Sequence, residues 1–313
     1  MIPHCRPVFR GREREYVEEC FRTGWVATGL FVERFEEAVA KQTQSRYIVT
    51  VSSGTVALTL AIRAAYVAQT SIVSVPALTF VATANAIRAA GLAPVYRDAD
   101  PVTWTARACD VPVYLYGTTP VAIGRVEDAA AALGGYTLRG MIGVLSFNGN
   151  KIVTAGGGGA VCTDNQKIAE RIRAWSSHRS DVEGFMFGEG NARLSNLQAA
   201  VGLGQIEQLD DFLAAKRRIA TRYTAELAGA DWHPQGGPSN HWQYGGLCRD
   251  ASGLVAHLRA HGIEARRLWR PLADLPVAND LYRRGVLLPC SVDLSDEDQT
   301  TVIREVKRWI ASA

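Results

Sequence analysis

The alternation of apolar, strand-like runs with helical stretches is the feature that most constrains the fold of this chain. Helical spacing is evident at residues 56–68 and 79–90, between successive strand-like runs. Those runs lie at 47–51, 72–75, 93–96, 111–116, 121–126 and 141–145. The order is typical of an α/β fold, in which helices on both faces cover a mostly parallel sheet.

Two domains are expected. Residues 1–210 form the larger one, and the mostly helical stretch 194–227 leads out of it. Residues 211–313 fit a smaller α+β domain, against which the N-terminal segment is expected to pack. Its predicted elements are strands at 241–248 and 263–268 and helices at 253–261 and 296–310.

Composition narrows the class of protein. Hydrophobic residues make up 47% of the 313 residues and charged residues 21%, with a net charge of +3. This balance is typical of a globular protein and gives no reason to expect a nucleic-acid or membrane partner. The six cysteines include no Cys-x-x-Cys pair, so no metal site is expected, and a reducing, cytoplasmic location is predicted. Neither a signal peptide nor a membrane span is predicted.

Polar residues follow several of the predicted strands. Ser53 and Thr55 come after the first, Asp128 after the run that ends at residue 126, and Ser146 and Lys151 after the run 141–145. Ligands of such sheets collect beyond the carboxyl ends of the strands, so one shared site is predicted there. Considered singly, the serine, threonine and aspartate also fit ordinary helix caps.

The strongest chemical signal is a lysine between a buried strand and a glycine run. Lys151 follows a short polar turn, and four consecutive glycines occupy 156–159. Glycines in succession indicate a tight turn or a close backbone approach. In a dry pocket the amine would lose its proton readily and become a nucleophile toward a carbonyl group. An exposed loop lysine is the competing interpretation.

Motifs along nearly the whole chain, in order, resemble the DegT/DnrJ/StrS family of sugar aminotransferases, which are pyridoxal-phosphate enzymes of fold type I. The motifs are GWV at 24–26, FVERFE at 31–36, SGT at 53–55, AL at 57–58, PALTFVATANAI at 76–87, LYG at 115–117, EDAA at 127–130, SFNGNK at 146–151, GNARLSNLQAA at 190–200 and LP at 288–289. The chain is most similar to the perosamine-type and legionaminic-pathway enzymes, which act on 4-keto-6-deoxy sugars.

The resemblance implies a role for each candidate site residue. Lys151 would bond covalently to pyridoxal 5'-phosphate and later carry protons, and Asp128 would pair with the pyridine nitrogen. The remaining cofactor-binding positions are Gly54, Thr55 and Ser146 at the phosphate, Phe80 stacked on the ring, and Asn191, which reaches the cofactor of the neighbouring subunit.

The implied reaction is transfer of an amino group, with glutamate as donor, to a nucleotide-linked keto sugar. The cofactor would pass through its pyridoxamine form, and the product would serve amino-sugar biosynthesis for lipopolysaccharide O-antigen. Because Asn191 reaches a neighbouring subunit in the family, a homodimer with shared active sites is implied.

The sequence also departs from the family pattern. Ala131 stands where the family usually has a polar residue that contacts the phenolic oxygen of the cofactor, and Ala192 replaces a tyrosine. The connections between residues 104 and 111 and between 116 and 127 are shortened. Two alternatives therefore stay open, a sugar dehydratase and a non-catalytic homologue. Lys151 disfavours the dehydratase, whose relatives carry histidine at that position. A nicotinamide site is disfavoured because residues 156–159 lack the spaced glycine fingerprint.

Overall fold

The computed structural model describes residues 1–66, 70–177 and 190–312. Helices and strands alternate in the first part of the chain, as the apolar pattern predicts. They are α1 Glu13–Thr23, α2 Leu30–Thr43, β1 Tyr47–Val51, α3 Gly54–Tyr66, β2 Ile72–Pro76, α4 Val81–Ala89, β3 Ala93–Arg97, β4 Val126–Asp128, β5 Ile142–Ser146, β6 Gly159–Thr163, α5 Gln166–Ser177 and α6 Asn196–Ile206.

The strands of this part form two sheets, ordered β1-β6-β5-β4 and β2-β3. The pairs β4–β5 and β2–β3 are parallel, whereas β6 is antiparallel to both β1 and β5. Residues 111–114 join the two sheets, because they hydrogen-bond to Ser74 of β2 on one side and to Asp128 of β4 on the other. The parallel pairs bring the carboxyl ends of β4 and β5 to one edge, where the predicted site residues follow.

The C-terminal part has its own antiparallel sheet, ordered β7-β8-β10-β9. The chain reaches it through a long helix that starts three residues after α6. The elements are α7 Leu209–Glu226, β7 His233–Pro234, β8 Tyr244–Leu247, α8 Ala251–Ala260, β9 Arg266–Arg267, α9 Pro276–Arg284, β10 Gly285–Leu288 and α10 Asp296–Ser312. The N-terminal segment lies against this part, since Ile2 pairs with Ile263 and the His4 carbonyl accepts from the Cys290 N–H.

Burial explains why these elements form. Strands β1, β2, β5 and β6 are almost continuously buried, and apolar faces of the helices cover them. Helix α3 is buried along most of its length, from Ala57 to Tyr66, against this sheet. A separate apolar cluster fills the space between the antiparallel sheet and α7, α8 and α10. Within the described ranges, no helix has both the length and the apolarity needed to cross a bilayer.

Several predicted boundaries were wrong. Residues 118–125 form an irregular connection rather than a strand, and Val121 and Ile123 on it are exposed. The run 111–116 forms one isolated bridge and then a short 3-10 turn in which Tyr116 has a φ of 56°. The helical stretch 194–227 is broken after Ile206, and the strand predicted at 263–268 shrinks to β9. Residues 67–68 and 180–189, predicted as a helix end and a loop, lie outside the described residues.

Candidate active site

One cavity of about 770 Å³ opens beyond the carboxyl ends of β4 and β5, between the two sheets of the first part and the C-terminal part. Six of the seven predicted site residues line it: Gly54, Thr55, Phe80, Asp128, Ser146 and Lys151. The strand ends bring them together although they are spread over about a hundred residues of sequence.

Asp128 lies at the end of β4 and is almost completely buried. Its Oδ2 accepts a hydrogen bond from the Thr83 hydroxyl at 2.7 Å, and its Oδ1 accepts one from the Ala130 N–H at 3.2 Å. Burial raises the pKa of this carboxyl, while the two hydrogen bonds and the nearby Lys151 oppose the rise. A cationic partner inside the cavity would therefore stabilise the ionised form.

Lys151 projects into the same cavity from the turn after β5, which closes when its N–H donates to the Asn148 carbonyl. Its Nζ lies 3.7 Å from the centre of the Trp242 ring. Burial lowers the pKa of Lys151 to about 8, against the opposing effects of Asp128 and Cys5. The Trp242 face also favours the ammonium form, by roughly 1–2 kcal/mol for a desolvated pair. An amine with this pKa is available in its nucleophilic form near neutral pH.

The N-terminus of α3 forms a narrow cradle with Ser146. A Cβ on Gly54 would lie 2.8 Å from the Ser146 Cβ, so only glycine lets the helix start this close to the end of β5. The Ser53 hydroxyl accepts from the Val56 N–H as a cap. Free N–H groups and the positive end of the helix dipole thus face the cavity, which suits a phosphate group.

The backbone of the glycine run lies very close to the start of α3, as the consecutive glycines predict. Gly156 and Gly158 have φ values of 75° and 122°, which other residues rarely adopt. Gly158 pairs with Ser53, and a Cβ on Gly159 would lie 2.6 Å from the Gly54 nitrogen. The run therefore holds the backbone of β6 directly against the phosphate-facing end of α3.

Aromatic side chains form one wall of the cavity. The Phe80 ring, about half exposed, lies 5.2 Å from the Trp269 ring. Trp269 in turn packs 4.7 Å from the ring of Tyr116, whose hydroxyl accepts from the Trp269 N–H at 2.9 Å. The wall joins the first part of the chain to the C-terminal part.

Sequence reasoning missed the contribution of the C-terminal part to the cavity. Trp242, Gln243 and Trp269 line it together with Arg266 and Arg267. The indole N–H of Trp242 donates to the Asn150 carbonyl at 2.6 Å, beside the catalytic-lysine candidate. Gln243 is 6% exposed, and its Oε1 has no hydrogen-bond partner among the residues that the structure describes. No local signal in the sequence distinguishes the two arginines from ordinary surface charge.

Asn191 is the predicted residue that lies away from the cavity. It is exposed, and its side-chain oxygen accepts from the Arg193 guanidinium at 3.2 Å. The neighbouring Ala192 carbonyl accepts from the Ser52 N–H, so the segment is tied to the chain that leads into the phosphate cradle. Ala131 lines the cavity, and the Asn240 side-chain amide donates to its carbonyl at 3.0 Å.

The chemistry of these groups fits pyridoxal phosphate. The cavity contains one amine of lowered pKa, one deeply buried carboxyl that a cation would stabilise, and one helix N-terminus whose cradle a Cβ would fill. An amine can react with a carbonyl group, a carboxylate can pair with a pyridinium nitrogen, and a helix N-terminus can bind a phosphate. Pyridoxal phosphate carries all three of these groups.

Comparison with known proteins agrees with this geometry. The model of the DegT/DnrJ/EryC1/StrS aminotransferase family matches residues 8–113 and 118–307. The chain belongs to this family. GDP-perosamine synthase of Escherichia coli O157:H7 is 32% identical to this aminotransferase, with 98% of each chain covered. GDP-perosamine synthase of Caulobacter vibrioides is 31% identical, with 95% of each covered.

A solved structure supports the same conclusion. The aminotransferase TlmJ from Streptoalloteichus hindustanus superimposes on this aminotransferase with a TM-score of 0.90 and 27% identity, covering 100% of this chain and 99% of its own. The predicted fold of pyridoxal-phosphate-dependent transferases is confirmed, as are the enzyme class and the cofactor. The alignment with the Escherichia coli relative extends over 362 positions, so many of them have no counterpart in these 313 residues.

Proposed function

We propose that this aminotransferase transfers an amino group from glutamate to a nucleotide-linked 4-keto-6-deoxy sugar, with pyridoxal phosphate held in the cavity described above. The observation that carries the proposal is the meeting of Lys151, Asp128 and the Gly54 cradle in one cavity. The names of two relatives, both GDP-perosamine synthases, support a sugar nucleotide as the acceptor.

When bound, pyridoxal phosphate supplies an electron sink for bond breaking at the carbon that carries nitrogen. Lys151 is proposed to hold it covalently through Nζ, which the lowered pKa makes nucleophilic. Once released, the same Nζ carries a proton between donor or acceptor carbon and the cofactor. The loop after β5 keeps this amine over the Trp242 ring, so that the proton is delivered from one fixed side.

Asp128 is proposed to bind the pyridine nitrogen and keep it protonated. The Thr83 hydroxyl and the Ala130 N–H fix the carboxylate from behind, which orients its free lone pairs. Gly54, Thr55 and Ser146 are proposed to bind the phosphate, and Phe80 to lie against the ring. The antiparallel C-terminal sheet closes the cavity and helps to exclude water.

The sugar nucleotide is proposed to enter on the side of Gln243, Arg266 and Trp269. The unpaired Oε1 of Gln243 suits a hydroxyl donor of a sugar, and Trp269 offers an apolar face. Arg266, although paired with Glu264 at 2.6 Å, lines the cavity and is partly free to meet a diphosphate. We also propose a homodimer, in which Asn191 reaches the cofactor of the partner subunit.

The decisive experiment changes Lys151 to alanine. The wild-type protein, loaded with pyridoxal phosphate, is expected to be yellow, to fix the cofactor upon borohydride reduction, and to aminate a panel of sugar nucleotides with glutamate. Lys151→Ala is expected to lose both the covalent adduct and turnover, as read by mass spectrometry. The matched control is Lys167→Ala, which removes an exposed lysine on α5. Transamination retained by Lys151→Ala would refute the assignment.

A further inference from the structure

Three metal-ligating side chains meet outside the cavity, on the helices of the C-terminal part. His257 lies in the last turn of α8, His261 follows four residues later, and Glu305 lies on α10. The four-residue spacing places both imidazoles on one side of the helix end, facing α10. One ligand atom from each residue lies within 4.8 Å of the other two.

The hydrogen bonding of His261 fixes which nitrogen is free. Its Nδ1 lies 2.8 Å from the His257 carbonyl, which can only accept, so Nδ1 carries the proton. In the neutral ring, Nε2 is therefore an unprotonated donor atom, and it lies 3.7 Å from Glu305 Oε2. A metal ion placed between this nitrogen lone pair and the carboxylate oxygen would be attracted by both groups.

The separations match those of ligands around one small cation. Nε2 of His257 lies 3.3 Å from Glu305 Oε2, so both imidazole nitrogens are close to the same carboxylate oxygen. Tetrahedral zinc with bonds of about 2.0–2.1 Å places neighbouring ligand atoms about 3.3 Å apart. Two edges of such a tetrahedron, at 3.3 and 3.7 Å, are thus nearly formed, and the third ligand pair lies within 4.8 Å.

Neighbouring side chains limit the movement of the cluster, and two arginines compete with a metal ion for the Glu305 carboxylate. Glu305 is 3% exposed, and its Oε1 accepts from the Arg304 guanidinium at 3.1 Å. Arg308 lies 3.6 Å from Oε2, but its side chain is largely exposed and free to swing away. The Trp309 ring lies 5.5 Å from the His257 ring and limits its rotation. The Oε1 pairing with Arg304 leaves Oε2 as the metal-facing oxygen.

We propose that His257, His261 and Glu305 form a binding site for a divalent transition-metal ion, with Zn²⁺ as the best fit. Two imidazoles and one carboxylate are donors that zinc accepts, and water completes the coordination. The ion would connect the C-terminal end of α8 to α10. The site is independent of the aminotransferase cavity, whose lining includes none of the three residues.

The test uses chelator-treated full-length enzyme and zinc chloride in a buffer without phosphate. Calorimetric titration is expected to give one Zn²⁺ per chain with a micromolar or lower Kd, and elemental analysis the same stoichiometry. Co²⁺ bound in place of zinc is expected to give the visible absorption bands of four-coordinate geometry. His261→Ala and Glu305→Gln are expected to weaken zinc binding at least tenfold, whereas His233→Ala, which removes an exposed histidine elsewhere, leaves it unchanged.

Two results would overturn the site. One is the absence of saturable, one-to-one zinc binding to the wild-type chain. The other is binding by His261→Ala that equals wild type, which would assign the ion to other groups, such as the cysteines. His261 is exposed, so this variant is expected to fold, and it remains decisive even if Glu305→Gln is unstable.

Discussion

At the scale of single residues, the site depends on two ionisable groups that burial shifts toward their neutral forms. The pKa of Lys151 falls to about 8, and the pKa of Asp128 rises. Each group partly offsets the shift of the other, because the ammonium and the carboxylate attract one another. A charged, polar ligand that enters the cavity would therefore stabilise the ionised forms of both groups.

The lowered pKa of Lys151 makes the stability of the cofactor-free enzyme depend on pH. Between pH 8 and 10.5 the unfolded chain binds this proton and the folded chain does not, so stability rises with pH. The expected gain from this residue is about 2 kcal/mol between pH 7.5 and 9.5. Urea unfolding of wild type and Lys151→Met measures it as the difference between the two proteins.

The comparison with Lys151→Met is needed because buried tyrosines act in the opposite direction at high pH. Burial raises the pKa of Tyr66 to about 12, and such groups lower stability above pH 10. They are common to both proteins and cancel in the difference. Parallel curves for the two proteins would show that Lys151 keeps its ordinary pKa.

Replacing Gln243 with an apolar residue is expected to change stability and activity in opposite directions. Its Oε1 is buried without a partner, which costs about 1–3 kcal/mol. Gln243→Leu is therefore expected to stabilise the cofactor-free protein by about 1 kcal/mol while raising KM for the keto sugar about three- to tenfold. The glutamate half-reaction serves as the control and is expected to stay unchanged. A destabilised variant with unaltered KM would indicate a purely structural glutamine.

Sequence reasoning succeeded at this scale wherever a residue follows a strand. Asp128, Ser146 and Lys151 meet because the carboxyl ends of neighbouring parallel strands share an edge. Trp242 and Gln243 were not predicted, since they reach the cavity through packing of a segment about ninety residues further along the chain. No local sequence pattern predicts such a contact. The exposed Asn191 stays a prediction, because its proposed partner lies on another subunit.

At the scale of elements, the loop that carries Lys151 is tied to helix α7 through a buried lysine, Lys216, and through Trp242. Lys216 donates to the carbonyls of Trp242 and Cys290, and it is 2% exposed. Burial lowers its pKa, but the facing Cys290 and Cys5 sulfurs outweigh burial, so the net shift is upward. The Lys151 Nζ in turn lies over the face of the Trp242 ring. A chain of contacts therefore connects α7 to the Lys151 amine.

Replacing Lys216 with methionine tests this connection. The variant keeps the volume of the side chain but leaves the Cys290 carbonyl without a donor and the Trp242 carbonyl with only the weak Cys290 thiol, at an expected loss of about 2–4 kcal/mol in the free energy of unfolding. Weaker binding of pyridoxal phosphate is also expected, since Trp242 is then held beside Lys151 by fewer hydrogen bonds. Urea unfolding and a cofactor titration measure both effects, with the surface variant Lys167→Met as control. Unaltered stability would show that water satisfies the carbonyls.

The elements also show how the two connections predicted to be shortened are held in place. Residues 118–125 lack regular structure, yet the Arg139 guanidinium donates to the carbonyls of Pro120 and Ala122 and to the fully buried Glu127. In the other shortened connection, Asp110 accepts from the Ser74 N–H and hydroxyl. Side chains thus satisfy the polar groups of these irregular connections, an arrangement that strand patterns do not reveal.

At the scale of the whole molecule, the sequence predicted the α/β class because strand and helix periodicities alternate clearly. The boundary near residue 210 stays a prediction, although helix α7 begins there. The N-terminal segment lies against the C-terminal part through Ile2 and His4. Such long-range pairing depends on the complete fold, so no local sequence pattern identifies which residues of the segment make it.

The proposed homodimer has a test that depends on shared sites. Lys151→Ala and Asn191→Ala chains, purified as a mixed dimer through two different tags, are expected to regain about half of the wild-type activity. One of the two sites then receives Lys151 from one chain and Asn191 from the other, while the second site carries both changes. Each variant alone is expected to be impaired, in the case of Asn191→Ala through weaker cofactor binding. A mixed dimer without recovery would place Asn191 outside the partner's site.

The position of Trp242 has a practical consequence. The centre of the Trp242 indole lies 3.7 Å from the Lys151 nitrogen. The indole can therefore act as an internal optical probe for a cofactor that binds to that nitrogen. Its ultraviolet emission overlaps the absorption of a pyridoxal chromophore, so loading of the enzyme is expected to quench fluorescence by energy transfer. Changing Trp242 to phenylalanine would show how much of the signal comes from this ring rather than from the other tryptophans. Filling and emptying of the cavity can then be timed in solution without an attached dye.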